Sequence, residues 1–244
     1  MLDRSSVLFL DNHLLVVLKP AGTLSQGDAT GDPDLLSMGK AYVKETFGKP
    51  GEVFLGLVHR LDRPVSGVMV FARTSKAAAR LSAQFRKREV EKRYVALVEG
   101  TCKGAGTRID HLWKDHQVVR MVPAGHPKGQ QAELRWAALG NRDGQSLVDV
   151  HPLSGRPHQI RVQLAALGHP IVGDFKYGAR RPFDGRNLAL HCYRLAFAHP
   201  TRGASCRFEA PLPDPWPAWA RQLLAPQQAE VLGREVPRPD AGVD

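Results

Sequence analysis

Cysteine is scarce in this chain: three residues in 244, Cys102, Cys192 and Cys206, far apart, odd in number and without a CxxC pair. That pattern excludes a disulfide framework and speaks against a thiolate zinc site. Long apolar runs are missing too. None approaches the ~20 residues needed to cross a bilayer. The opening MLDRSSVLFLDNHLLVVLKP has its apolar runs broken at Asp11, Asn12 and His13, which is not a secretory signal. A soluble, cytoplasmic protein with no membrane partner is expected. No internal repeat or low-complexity block occurs. GAG at 104–106 has no Walker lysine, so a phosphate loop is not indicated. His151, His158 and His169 share no helical face and accompany no HExxH, so a metal site is not expected. Acid is the last shortage: 24 Asp and Glu against 34 Lys and Arg, a net charge of +10. Such an excess favours a polyanionic partner, because each phosphate contact releases counterions. Charge alone does not separate RNA from DNA or from an anionic membrane.

What is present reads as a folded α+β protein. VLFLDNHLLVVLK predicts two strands, 7–10 and 14–18, joined by an Asp-Asn-His turn. A short helix is expected within 33–47, then strands in VFLGLV and VMVFAR (68–73). TSKAAARLSAQFRKREV is the clearest helix. Thr74 or Ser75 can cap it, and Ala77, Leu81 and Phe85 recur every fourth residue. KRYVALVEG predicts a strand, as do VVRMVP, AELRWAAL and SLVDVHP. A helix is expected over 156–168, with Pro157 in its first turn and Gly168 at its end. Strands at 188–198 and 204–210 and a short helix near DPWPAWARQLL follow. Many strands and few helices, without regular βαβ alternation, imply a mixed, largely antiparallel sheet. The expected organisation is one catalytic-size domain over 1–225 and a frayed, proline-bearing tail over 226–244.

One stretch stands apart. HRLDRPVSG (59–67) sets a lone carboxylate, Asp62, between Arg60 and Arg63, with apolar runs on both sides. By itself Asp62 reads as a turn residue or an ion-pair partner. The stretch resembles the HRLD-x-x-TSG loop of the RluA-type pseudouridine synthases, and four further segments match that family in order. They are VVLKPAG (16–22), EKRYVALVEG (91–100), LSGRPHQIRVQLAALGHPIVGDFKYG (153–178) and LALHCYRLAFAHP (188–200). Together they span residues 7 to about 213. Two positions depart: Val65 and Ser154 stand where the family has threonine. Ser154 keeps the hydroxyl; Val65 loses it.

The resemblance implies a sheet of two lobes with a catalytic cleft, and an enzyme that isomerises uridine to pseudouridine in structured RNA, ribosomal or transfer. No atom is gained or lost in that reaction, so no cofactor is expected. It also implies that Asp62 is the catalytic carboxylate, acting covalently or as a base at the sugar C2′. Arg161 of HQIR would be the cation against it, since a guanidinium stays charged and grips both oxygens. Tyr94 would stack on the uracil or help remove the C5 proton; read without the family, it is an ordinary sheet tyrosine. RNA contacts are expected at Arg60, which could stack on disturbed bases, and at Arg63, Arg86, Lys87, Arg88 and Lys176. Between Arg73 and Arg93 eight Lys and Arg face two Glu. Read without the family, that basic face is simply solvated. No S4-like RNA-binding module ahead of the KPAG strand pair is expected. A monomer is expected. The competing reading is a catalytically silent RNA-binding module of the same fold.

Overall fold

A computed structural model describes residues 2–224; the expected tail lies outside them. In chain order the strands are β1 (Val7–Leu10), β2 (Leu14–Lys19), β3 (Gly56–Leu57), β4 (Ser66–Ala72), β5 (Glu91–Glu99), β6 (Ala105–Asp115), β7 (Val118–Val122), β8 (Gln130–Arg142), β9 (Gln145–Pro152), β10 (Leu190–Ala198) and β11 (Ser205–Glu209). The α-helices are α1 (Leu35–Thr46), α2 (Ser75–Lys87), α3 (Gln159–Ala166) and α4 (Ala218–Leu223). The architecture is α+β with mostly antiparallel strands, as the sequence predicts. Two compact units divide it. Of the described residues, 2–91 and 194–210 form the first and 92–193 with 211–224 the second.

In the first unit, β1 pairs with β2 (Phe9↔Val16) and β2 with β4 (Val16↔Val70). Asp11 makes the β1–β2 turn: its Oδ1 accepts the His13 and Leu14 N–H groups, both at 2.7 Å. Leu14, Val16, Val68, Val70, Leu81, Leu195 and Phe208 form the core. Burying each such side chain contributes about 1.5–3 kcal/mol, an upper figure because unfolded chains already bury some of it. Helix α2 lies where its periodicity places it. Thr74 accepts the Ala77 N–H, Ala77 and Leu81 are buried, and Arg88 ends the helix in the left-handed region at φ 62°. The expected VFLGLV strand shrinks to Gly56–Leu57, paired only with Phe71 and Ala72. There a Cβ on residue 56 would stand 2.9 Å from the Ala78 methyl, so a glycine lets the chain pass close to α2.

The second unit carries the antiparallel order β5-β9-β8-β6-β7. Its buried side packs Leu112, Val119 and Ala132 with Val162 of α3. Strand β6 has too little apolar alternation (AGTRIDHLWKD) to be picked out from sequence. Helix α3 begins later than expected. Pro157 lies outside it, because His158 takes a left-handed conformation, φ 50° and ψ 17°, at the N-cap. Gly168, at φ 84°, follows the helix end as predicted.

Candidate active site

The Asp62 loop of the first unit is fixed through its backbone. On the N-terminal side, the Ser25 hydroxyl donates to the Leu61 carbonyl at 2.6 Å and accepts the Leu61 N–H at 3.2 Å. On the C-terminal side, Lys19 Nζ donates to the carbonyls of Pro20 (3.1 Å), Arg63 (3.1 Å) and Val65 (2.7 Å). An ammonium has three N–H donors, and here three carbonyls receive them. The loop closes on itself where the Val65 N–H donates to the Asp62 carbonyl at 3.0 Å. Asp62 thus sits half-buried between two anchored neighbours.

Lys19 is fully buried, at 0% exposure. Burial pushes its pKa down to about 7, with the Asp62 charge pulling it up and Arg63 pulling it down. His59 adds a third anchor. Its Nε2 accepts the Val70 N–H at 3.0 Å, which puts the ring proton on Nδ1, and the ring stacks on Phe85 at 4.7 Å and 17°. Val65 is buried at 3% and its carbonyl is a Lys19 ligand, so the missing threonine hydroxyl leaves this backbone bond in place.

The arginines of the first unit separate into two kinds. Arg63 is tied to the fold: its Nε donates to the Gly22 carbonyl at 3.0 Å, and its Nη2 meets Asp32 at 2.7 Å. Arg60 is exposed. Arg86 and Lys87 lie in the last turn of α2 and Arg88 caps it, all exposed, where cations suit the helix dipole. Lys87 reaches Glu89 only at 4.0 Å.

In the second unit Tyr94 is half-buried on β5, in register with Val150 of β9. Arg161, in α3, is buried and held by side chains. Its Nε donates to Asp174 Oδ2 at 2.7 Å and its Nη2 to Oδ1 at 2.8 Å, a two-pronged pair. The Tyr177 ring lies 5.0 Å from the guanidinium carbon. Tyr177 Oη accepts the Val119 N–H at 3.0 Å and is 2.6 Å from His158 Nδ1. A guanidinium carries five N–H donors, so one carboxylate does not exhaust it. Lys176, beside Tyr177, donates to the Gln117 carbonyl at 3.1 Å and so steadies the β6–β7 turn.

Asp174 and Tyr177 were given no role by sequence reasoning, although both stand in the GDFKYG segment. The only available signal was an acid thirteen positions past Arg161, a separation that no local rule pairs. Of the three histidines considered for metal, His158 meets Tyr177, and the His169 Nδ1 lies 3.0 Å from the Glu99 carbonyl. Among the described residues no group of three or more His, Cys, Asp or Glu is placed to hold a metal ion.

The family profile described as RNA pseudouridylate synthase matches residues 13–166. The chain belongs to that family. It is 34% identical over 213 residues to ribosomal large subunit pseudouridine synthase C of Vibrio vulnificus, covering 84% of this chain and 65% of that protein. Against synthase D of Yersinia pestis it is 33% identical over 223 residues, covering 85% of this chain and 67% of the relative. The solved structure of human RNA Pseudouridylate Synthase Domain Containing 4 superposes with a TM-score of 0.72 at 25% identity, over 86% of this chain and 89% of that one. The chain thus spans just under two thirds of the length of the synthase C relative.

Proposed function

We propose that this protein is an RNA pseudouridine synthase, with Asp62 as the catalytic carboxylate and ribosomal RNA as its substrate. The observation that carries the reading is the anchoring of the loop on both sides of Asp62, by Ser25 and by Lys19. A carboxylate that must meet one sugar carbon needs such a rigid backbone. The reaction breaks the bond from N1 to C1′, turns the freed ring and joins C5 to C1′; the C5 proton leaves and N1 gains one. Asp62 acts at the sugar, Arg161 contributes the cation that the family pattern calls for, and Tyr94 packs on the base beside the C5 proton. Arg60 contacts the RNA opened around the extruded nucleotide. The relatives' names favour ribosomal over transfer RNA.

The test is single-turnover tritium release from C5-labelled uridine in ribosomal and transfer transcripts. Wild-type protein should release tritium from the ribosomal transcript. Asp62→Ala should bind RNA with wild-type affinity and release none. Product from Asp62→Ala would overturn the catalytic assignment, and turnover confined to transfer RNA would overturn the substrate.

A further inference from the structure

Besides Tyr94 and Arg161, the second unit carries a set of four exposed arginines on a hydrogen-bonded framework. It consists of Arg142, at the end of β8, and Arg180, Arg181 and Arg186, in the segment between Tyr177 and β10. A single carboxylate organises the segment. Glu99 Oε1 accepts the N–H groups of both Arg180 (2.7 Å) and Arg181 (2.6 Å). The Arg181 carbonyl accepts the Gly173 N–H at 2.9 Å. The Arg181 guanidinium donates from Nη1 to the Asp143 carbonyl at 2.9 Å, which ties the segment to the β8–β9 turn. That turn is built for the approach. Asp143 and Gly144 have φ of 53° and 71°, and a Cβ at 144 would lie 3.3 Å from Arg181 Nη2. A second carboxylate, Asp184, accepts the N–H groups of Arg186 (3.1 Å) and Asn187 (2.7 Å). Phe183 packs edge-on against Trp216, ring centres 5.5 Å apart.

The acids here are turned toward the chain. Glu99 and Asp184 face backbone N–H groups, whose dipoles offset their charge. Asp143 and Asp184 are both exposed, and Asp143 pairs with Arg142 at 3.7 Å with 66% and 84% of the Arg142 and Asp143 side chains exposed. Exposed pairs of that kind are weak and yield readily to a stronger anion. Among the described residues the side chains of Arg180 and Arg186 have no hydrogen bond or ion pair. Four exposed arginines with one weak ion pair among them add net positive charge, which does not serve the stability of the fold.

We infer that Arg142, Arg180, Arg181 and Arg186 form a phosphate-binding platform that grips phosphates of the RNA backbone, with Glu99 as its positioning residue. This rests on the RNA-modifying reading above and adds a second point of attachment to it. Phosphodiester RNA fits better than an acidic protein because guanidinium forks match phosphate oxygens two at a time.

The experiment measures binding of a fluorescent RNA hairpin between about 50 and 200 mM salt, where each lost phosphate contact removes about 0.9 from the slope of log affinity against log salt. The triple variant Arg142→Gln, Arg180→Gln, Arg186→Gln should lower that slope by about 2–3 and weaken binding roughly tenfold or more. Its turnover at saturating RNA should match wild type. Glu99→Ala gives the sharper arm. Removing a negative charge should tighten RNA binding if attraction alone operates; if Glu99 positions the arginines, binding weakens although net charge rises. Glu99→Gln keeps an acceptor oxygen and should restore it, and a melting curve establishes that each variant is folded. An unchanged slope in the triple variant, or tighter binding by Glu99→Ala, overturns the platform. So does an equal loss of affinity for polyglutamate, which would make the patch a general anion site. If wild type makes no pseudouridine while the slopes change as stated, the catalytic reading fails and the platform stands.

Discussion

The candidate residues of the two units are held by opposite means. Around Asp62 the fixing contacts run to backbone: Ser25 to Leu61, and Lys19 to Pro20, Arg63 and Val65. Around Arg161 they run from side chain to side chain, through Asp174, Tyr177 and His158. A backbone clamp is indifferent to which side chains the loop displays, and for that reason Val65 can replace a threonine there. A side-chain clamp has no such tolerance. Every member is an ion or a polar group, and at its centre the Arg161–Asp174 pair is buried, so that removing one partner leaves a buried charge behind.

The largest expected effect is therefore in the second unit. Asp174→Ala leaves the Arg161 guanidinium buried with its two-pronged partner gone, and breaking a buried pair costs roughly 3–5 kcal/mol. Urea unfolding measures it; a loss below 1 kcal/mol would mean that the buried pair is not what holds Arg161.

Lys19 comes next, and it makes the clamp in the first unit depend on pH. Its pKa in the fold is about 7, against an ordinary 10.5. Between those values the unfolded chain holds the lysine proton and the folded one has released it, keeping two N–H donors for the three carbonyls. Unfolding takes up a proton there, so stability from this group rises with pH, by up to about 1.4 kcal/mol per unit. Below pH 7 both states are protonated and the dependence vanishes. Lys19→Met, with no titrating group, should lose the rise. Unfolding free energies of the two proteins at pH 7 and pH 9 that differ by a constant amount would contradict this.

Sequence reading found the first unit more easily than the second, and the reasons are local. The strands at 7–10 and 14–18 and helix α2 carry their own signals: an Asp turn, a Thr74 cap and an apolar repeat at Ala77 and Leu81. β6 is half-wet along its length and shows no clean alternation. The start of α3 was misplaced because Pro157 suits a first turn by local rules, whereas His158 turns the chain into the left-handed region. Lys19 was legible only as part of KPAG. A lysine is by default exposed, and nothing local reveals that three carbonyls from two segments will converge on it. Asp174 was hidden for the same reason, since its partner is chosen by tertiary packing.

The smallest effect tests whether the backbone clamp depends on its exposed members. Arg63 joins the loop to Gly22 and Asp32, but its pair with Asp32 leaves the side chains 47% and 44% exposed. An exposed pair contributes about 0–1 kcal/mol, and the Gly22 N–H still donates to the Arg63 carbonyl at 2.8 Å whatever the side chain. Arg63→Ala should therefore lower stability by less than about 1 kcal/mol. The same variant separates the two roles open to Arg63. If it contacts RNA phosphate, affinity for the hairpin falls with a slope reduced by about 1, while turnover at saturating RNA is kept. If it only braces the loop, the slope is untouched and turnover falls, because Asp62 directly precedes Arg63 in the clamp. A loss of stability well above about 1 kcal/mol would erase the contrast between the exposed and the buried anchors, since a surface ion pair would then hold the loop as firmly as a buried contact does.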